Sequence, residues 1–292
     1  MSVAHGPLGP QAIDSAKSSH PLTRLLALCR PLVMGILNVT PDSFSDGGRF
    51  LDAGAALSHA GEMVADGADM LDIGGESTRP YGGARLIPAD EEWDRVHPVL
   101  RHVVGLGVPI SIDTMKASTA AKALAAGATI VNDVWGLQRD PDMARVAAEH
   151  AAGLIIMHNR TTVDATIDIL ADIEAFFAQS LALADRAGVR RDRIVLDPGI
   201  GFGKTPEQSI VAIARLERLK RFGLPLLIGV SRKRFIASVG DAEPHQRLGG
   251  SIAGNLYAVG AGAAIVRVHD VAETVQALRI AAALEATRQR DD

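Results

Sequence analysis

The chain has 292 residues, 47% of them hydrophobic, and carries a net charge of -4 with a pI near 6.1. With no basic excess to neutralise phosphates, a general nucleic-acid binder is excluded. The single cysteine, Cys29, excludes an internal disulfide and any cysteine-cluster metal site, and fits a reducing, cytoplasmic setting.

Residues 1–22 are rich in Ser, Gly, Pro, Ala and His without periodicity and read as a flexible N-terminal extension. The apolar stretch at 25–37 is interrupted by Arg30 and Pro31 and is framed neither as a signal peptide nor as a membrane span. From residue 32 onward a short run rich in Val, Ile and Leu ends in polar residues, a helical stretch follows, and the unit repeats. The runs lie at 32–38, 69–73, 108–113, 129–133, 153–158, 193–197, 224–231 and 264–269. Between them, apolar residues recur at helical spacing: Trp93, Val96, Leu100 and Val103; Leu170, Ile173, Phe177, Leu181 and Ala184; Ile210, Ile213, Leu216 and Leu219. Strands this apolar are buried on both faces, as in a parallel sheet covered by helices. Eight such units predict an α/β fold of the closed (β/α)8 TIM-barrel type, with residues 23–292 as a single domain. A doubly wound open sheet is the alternative, but it usually needs fewer units.

The first run stops at Asn38, and a long polar loop follows with hydroxyls at Thr40, Ser43 and Ser45, carboxylates at Asp42 and Asp46, and one aromatic, Phe44. Loops of this length in compact α/β units are usually functional. A barrel delivers all its strand ends to one face, where barrel enzymes keep their chemistry. Read in order, the ends are Asn38; Asp72, with Glu76 beyond it; Asp113; Asn132 and Asp133; His158; Asp197; Ser231 with Lys233; Arg267 and His269. An Asp after a strand is often a helix cap, and Asp133 and Glu76 fit that role or an orienting one. Asp113, Asn132 and Asp197 suit the donor-rich edge of a planar heterocycle. Lys233, Arg267 and His269, on strands 7 and 8, sit where barrels commonly hold phosphate, and Arg79 adds a cation from the loop after strand 2. Asn38 with nearby loop oxygens suits a magnesium ion, which takes few protein ligands and keeps its waters.

The segment from Asp197 to Thr205 ends Gly-Lys-Thr after a strand, but Pro198 stands where a P-loop needs its first glycine. Thr205-Pro206-Glu207-Gln208 reads instead as a helix capping box. No HExxH or other zinc spacing occurs among the nine histidines.

The rim residues and their neighbours resemble the dihydropteroate synthase family. The resemblance rests on Gly35-Ile36-Leu37-Asn38-Val39-Thr40-Pro41-Asp42-Ser43-Phe44-Ser45-Asp46-Gly47-Gly48 and on Asp72-Ile73-Gly74-Gly75-Glu76-Ser77-Thr78-Arg79-Pro80. It continues at Ser111 to Thr114, Asn132 to Val134, Met157-His158, Leu196 to Gly199, Gly201 to Lys204, Ser231 to Lys233 and Arg267 to Asp270, in order and one per strand. It implies condensation of 6-hydroxymethyl-7,8-dihydropterin pyrophosphate with 4-aminobenzoate to give 7,8-dihydropteroate and pyrophosphate, a step of folate biosynthesis, with Mg2+.

In family terms the catalytic residues would be Asp113, Asp197, Lys233 and Arg267. Asp113, Asn132, Met157, Asp197 and Lys233 would hold the pterin. Asn38, Arg79, Arg267 and His269 would hold the pyrophosphate, with the metal at Asn38. Phe44, Asp46, Thr78, Arg79, Pro80, Phe202 and Ser231 would line the aminobenzoate site, which sulfonamides mimic. The family also implies a homodimer, for which the apolar stretch at 248–264 is a candidate face. A reactive pterin cation needs shielding from water, a job for the loops after strands 1 and 2, whose closure is expected to bring Asp46 to Arg79. Two other readings share parts of the pattern: a pterin-dependent methyltransferase domain, which needs no pyrophosphate site, and a catalytically silent pterin-binding paralogue.

Overall fold

The computed structural model describes residues 20–39, 49–77 and 86–288, excluding the side chains of 49–53. Eight parallel strands close into one barrel in chain order: β1 (Leu32–Asn38), β2 (Met70–Gly74), β3 (Ile110–Asp113), β4 (Ile130–Asp133), β5 (Gly153–Met157), β6 (Ile194–Asp197), β7 (Leu226–Ile228) and β8 (Ala263–Val268). All the expected runs form strands, although the run at 224–231 yields only three residues of strand, with an irregularity against β8 at Leu226/Leu227. That slack leaves 229–233 free of the sheet ladder, to turn toward the barrel mouth.

Helix α1 (Pro21–Leu26) precedes the barrel and closes its lower end. His20 accepts from the Leu22 N–H as its N-cap, and its Nε2 lies 3.1 Å from the Thr129 carbonyl oxygen. Leu22 is buried among Leu32, Met34, Met70, Ile130, Ile155, Val195, Leu227 and Ile265, the residues that fill the barrel's lower interior. Residues 20–22, expected to belong to the extension, are therefore part of the barrel; 1–19 lie outside the described residues.

The covering helices are α2 (Arg49–Ala65), α3 (Ala89–Val103), α4 (Ala117–Ala125), α5 (Met143–Glu149), α6 (Ile169–Ala187), α7 (Pro206–Ala214), α8 (Arg234–Gly240), α9 (Leu248–Gly260) and α10 (Val271–Arg288). The second predicted stripe, on α6, is buried throughout, from an Asp168 cap that accepts the Leu170 and Ala171 N–H groups to a left-handed Gly188. The first holds as well, with Trp93 packed at its margin. The third is corrected. Ile210 is 37% exposed on α7, while Leu216 and Leu219 are buried on a separate 3-10 turn, because α7 ends at Ala214 and the phase of the stripe breaks there. The expected capping box starts α7: Thr205 accepts from the Gln208 N–H and Gln208 accepts from the Thr205 N–H.

Successive residues of a strand point to opposite faces, and this alternation places the site. Leu71, Ile73, Ile112, Val131, Ile156, Leu196 and Val266 face outward into the layer shared with the helices. Met70, Ile130, Ile155, Val195 and Ile265 face inward. Two residues beyond each inward apolar residue, on the same face, come Asp72, Asn132, Met157, Asp197 and Arg267. The barrel thus has an apolar lower floor and a polar upper one.

Candidate active site

The upper floor is one connected cluster. Arg267, reaching across from β8, donates from Nε to Asp72 Oδ2 at 2.6 Å and from Nη2 to Asp113 Oδ2 at 2.8 Å. Asn132 Nδ2 donates to the same Asp72 oxygen at 2.9 Å. Asp72 is fully buried. The second oxygens of Asp72 and Asp113, the amide oxygen of Asn132 and the hydroxyl of Ser111 are buried without a hydrogen-bond partner. Buried acceptors are nearly always satisfied in a working protein, so a group of orphans on the adjoining strands β2, β3 and β4 marks a place suited to a donor-bearing ligand.

The other half of the mouth is built from turns. After β6, Asp197 Oδ1 accepts from the Gly199 N–H at 2.8 Å. Lys233, at the N-cap of α8, donates to the Ile200 carbonyl, and its ammonium lies 4.7 Å from the centre of the Phe202 ring. Phe202 packs with Met115, Val134, Trp135 and Met157 into an apolar shelf beside the acids. Ser231 and His269 meet across β7 and β8, Oγ to Nδ1 at 2.9 Å. Asn38 is half-buried at the end of β1, paired with Gly74 of β2.

Burial raises the Asp113 carboxyl to about 8 against the pull of Arg267, and neighbouring Asp72 pushes it the same way. Burial also raises Asp197, although Lys233 and the Gly199 N–H oppose it. Lys233 falls to about 8 because burial outweighs the attraction of Asp197. In all three, desolvation of the charged form dominates.

The structure brings together Asp113, Asn132, Met157, Asp197, Lys233, Arg267, Phe202, Ser231 and His269, with Asn38 at the end of the neighbouring strand. Phe44, Asp46, Thr78, Arg79 and Pro80, with the Asp46–Arg79 closure, lie outside the described residues. The ring of polar ends is corrected at His158, which alternation turns outward, while Asp133 and Glu76 take the cap or orienting role expected of them. Asp133 faces the helices and accepts the Trp135 and Leu137 N–H groups at 2.9 and 2.7 Å, a turn cap whose own carboxyl burial raises to about 6. His158 likewise points away from the mouth, toward α6. Glu76 binds the Ile87 N–H and Lys116, which also holds Glu92. The separation of acids from cations is corrected too, since Arg267 sits between two carboxylates. Asp72, given no binding role from sequence, is the hub that orients both Asn132 and Arg267; its signal was its place two residues after inward Met70.

A barrel whose mouth pairs buried, unfilled acceptors with an apolar shelf and two cations defines an enzyme for a polar heterocycle. The family model described as pterin binding enzyme matches residues 34–269. A dihydropteroate synthase of Bacillus subtilis (strain 168) is 50% identical over 243 residues, 83% of this chain and 84% of that one. A crystal structure of dihydropteroate synthase from Clostridium difficile, obtained in the presence of pteroic acid, superposes with a TM-score of 0.84 at 49% identity, covering 88% of this chain and 97% of that one. The Xanthomonas albilineans dihydropteroate synthase with 4-aminobenzoic acid gives a TM-score of 0.85 at 43% identity over 89% and 94% of the two chains. The chain belongs to the pterin-binding enzyme family and, within it, to the dihydropteroate synthases.

Proposed function

We propose that the mouth divides the dihydropteroate synthase reaction between its two halves, the pterin on the orphaned acceptors and the aminobenzoate against Phe202 and Ser231. The single observation that carries this reading is the set of buried, unpartnered oxygens on Asp72, Asp113 and Asn132 beside the Met157 shelf. A pterin offers adjacent N–H donors in one plane, which a carboxylate can accept in pairs while the ring lies on the apolar shelf. Arg267, His269 and Asn38, with Arg79, which lies outside the described residues, take the pyrophosphate.

Asn38 offers one amide oxygen at the rim, and among the described residues no group of three or more His, Cys, Asp and Glu side chains forms a metal cage. That donor set fits a magnesium ion that draws its other ligands from pyrophosphate and water. Bound there, it would neutralise charge on the pyrophosphate. The chain's own residues do the rest. Arg267 and Lys233 stabilise negative charge as the bond from the pterin methylene to the pyrophosphate oxygen breaks. Asp113 and Asp197 stabilise the delocalised cation left on the pterin. The aniline nitrogen of aminobenzoate then forms the new C–N bond and gives up a proton, without a strong base. Sulfonamides, as aminobenzoate mimics, would compete on the Phe202 side.

The exposed apolar residues Ile210 and Val211 on α7, Val239 on α8 and Tyr257 on α9 lie on three helices packed against one another. They support a homodimer through that face, and the expected stretch at 248–264 supplies Tyr257. No helix among the described residues is long and apolar enough to cross a membrane, and the lone exposed thiol of Cys29 fits a cytoplasmic enzyme.

The test is purified full-length protein with dihydropterin pyrophosphate and labelled aminobenzoate, with light scattering on the same sample. Labelled dihydropteroate should form with Mg2+, stop with chelator and return when the metal is restored, and the mass should be that of a dimer. Binding of both substrates without product in any metal condition would leave a silent pterin-binding barrel. Product formation indifferent to chelator, or a monomer mass at micromolar concentration, would remove the metal or the dimer respectively.

Acidity sets a further expectation. Asp113 must be ionised to accept N–H donors, so raising the pH through about 8 in the free enzyme should strengthen kcat/KM for the pterin substrate. Lys233 loses its charge above about 8, so the value should then fall. The profile should be a bell centred near pH 8, with the acid limb gone in Asp113→Asn. An acid limb that persists in that variant belongs to another group.

A further inference from the structure

Behind the mouth, on the outward side of β5 and β6, lies a lysine with no exposure to solvent. Lys204 is 0% exposed. Its Nζ donates to the carbonyls of Gly199 and Phe202 at 2.9 and 3.1 Å, and it lies 2.6 Å from Nδ1 of His158. His158 is also fully buried, with Nε2 at 2.9 Å from Asp172 Oδ2 on α6; the second Asp172 oxygen pairs with Arg160 at 2.7 Å. The Asp172 carboxylate can only accept, which puts the imidazole proton on Nε2 and leaves Nδ1 to accept from the Lys204 amino group, whose own pKa burial draws well below the ordinary lysine value. Burial and the neighbouring Lys204 hold the imidazole neutral, its pKa down to about 3. Each polar atom of the relay is thereby used.

Neither a capping role nor ordinary core packing calls for a buried lysine here. Thr205 caps α7 alone, and Lys, once buried, is among the costliest residues to leave charged. What Lys204 does hold is the turn at 198–204. That turn presses on the 158–160 segment so closely that only glycine fits: a Cβ on Gly199 would stand 1.9 Å from the His158 carbonyl oxygen, and one on Gly203 2.3 Å from Arg160 Cβ, both at positive φ. The same turn carries Phe202 and the Ile200 carbonyl, the two groups that touch Lys233.

We propose that Lys204, His158 and Asp172 form a positioning relay for the aminobenzoate half of the site, the buried Lys204 amino group fixing the turn that sets Phe202 and the Ile200 carbonyl against Lys233. The inference rests on the reading of Phe202 as part of the aminobenzoate wall. Of the pterin half, Asp72, Asp113 and Asn132 stand on β2 to β4, away from the relay; Asp197 has its backbone fixed by its strand, opposite Met157 and with its carbonyl bonded to the His158 N–H at 2.9 Å, and only its side chain also takes the Gly199 N–H of the turn. Disturbing the relay should therefore separate the two substrates, which a general loss of stability would not do.

The experiment uses full-length Lys204→Met, Asp172→Asn and Phe202→Ala enzymes. It measures KM for aminobenzoate at saturating pterin and, separately, equilibrium binding of dihydropterin pyrophosphate alone. Lys204→Met should raise the aminobenzoate KM about tenfold or more while pterin binding changes less than about threefold. Asp172→Asn, on a partly exposed side chain, should move the same KM in the same direction by about threefold. Unchanged aminobenzoate KM, or equal weakening of both substrates, overturns the proposal; if Lys204→Met does not fold, Asp172→Asn decides alone. An aminobenzoate KM that Phe202→Ala leaves unmoved removes the site reading itself. A shift in Phe202→Ala with none in the other two removes only the relay.

Discussion

Replacing Arg267 with methionine should lower kcat/KM by about three orders of magnitude or more and should cost about 3–5 kcal/mol of stability. Both effects have one origin. The guanidinium lies between Asp72 and Asp113, at 2.6 and 2.8 Å, and Asp72 has no solvent to turn to. Removing one partner of a buried pair leaves the other as an uncompensated charge, which is far worse than never having had the pair. The protein can relieve this only by keeping a proton on one carboxylate. With Arg267 gone, its lowering influence on Asp113 is gone too, so the folded-state pKa stays at or above its present value of about 8. The folded state then binds a proton that the unfolded chain releases near the ordinary carboxylate value of about 4. Parent and variant therefore lose this contribution in parallel between about 4 and 8, and the gap between them should open as pH rises past about 8, where Asp113 ionises in the parent and keeps its proton in the variant. Urea unfolding of both proteins at about pH 7 and about pH 9 measures this directly. A stability gap that does not widen at the higher pH would show that Arg267 is not what compensates the two acids.

The second large effect should come from Lys233. Lys233→Ala should reduce kcat/KM by about 100- to 1000-fold, or about 3–4 kcal/mol of transition-state stabilisation. Asp197→Asn should fall in the same range, because each group is buried and each shifts the acidity of the other. Lys233→Arg should not restore activity. The ammonium is a compact donor seated between the Ile200 carbonyl and the Phe202 ring, and a planar guanidinium cannot occupy that seat with the same geometry. Steady-state kinetics on the three variants decide the matter, and near-normal turnover in Lys233→Ala or Asp197→Asn would sink the assignment. The alkaline limb of the pH profile should vanish in Lys233→Ala, which ties the kinetic loss to this titration rather than to a general disturbance.

Much of this was legible in the sequence because a parallel barrel writes itself plainly. Strands buried on both faces produce uninterrupted apolar runs, and polar residues at their ends stand out against them. Asp113, Asn132, Asp197 and Arg267 were found that way. Direction was harder to read. Asn132 and Asp133 are neighbours and look equivalent in the chain, but one faces the mouth and the other a turn toward the helices. Only the phase of the strand separates them, and Met70, Ile130 and Val195 supply that phase once they are seen to share a floor. His158 and Ile210 show the same limit: each has the right chemistry in the right region but points elsewhere. Lys204 was illegible for a different reason. Its neighbours had a sufficient local explanation as a helix cap, and burial of a lysine depends on carbonyls and an imidazole that come together only in three dimensions.

The alternation that builds the two floors also sets how this enzyme can change. Adding or deleting one residue within β4 would exchange Asn132 with Val131 or Asp133, putting an apolar side chain or the cap carboxylate into the mouth and the amide into the helix layer. Such a length change is punished twice, in chemistry and in folding, so the strands behave like text with a fixed reading frame. The connecting segments obey no such frame. Drift in this catalyst should accordingly be written as swaps of residue type in the strands and as changes of length only between them.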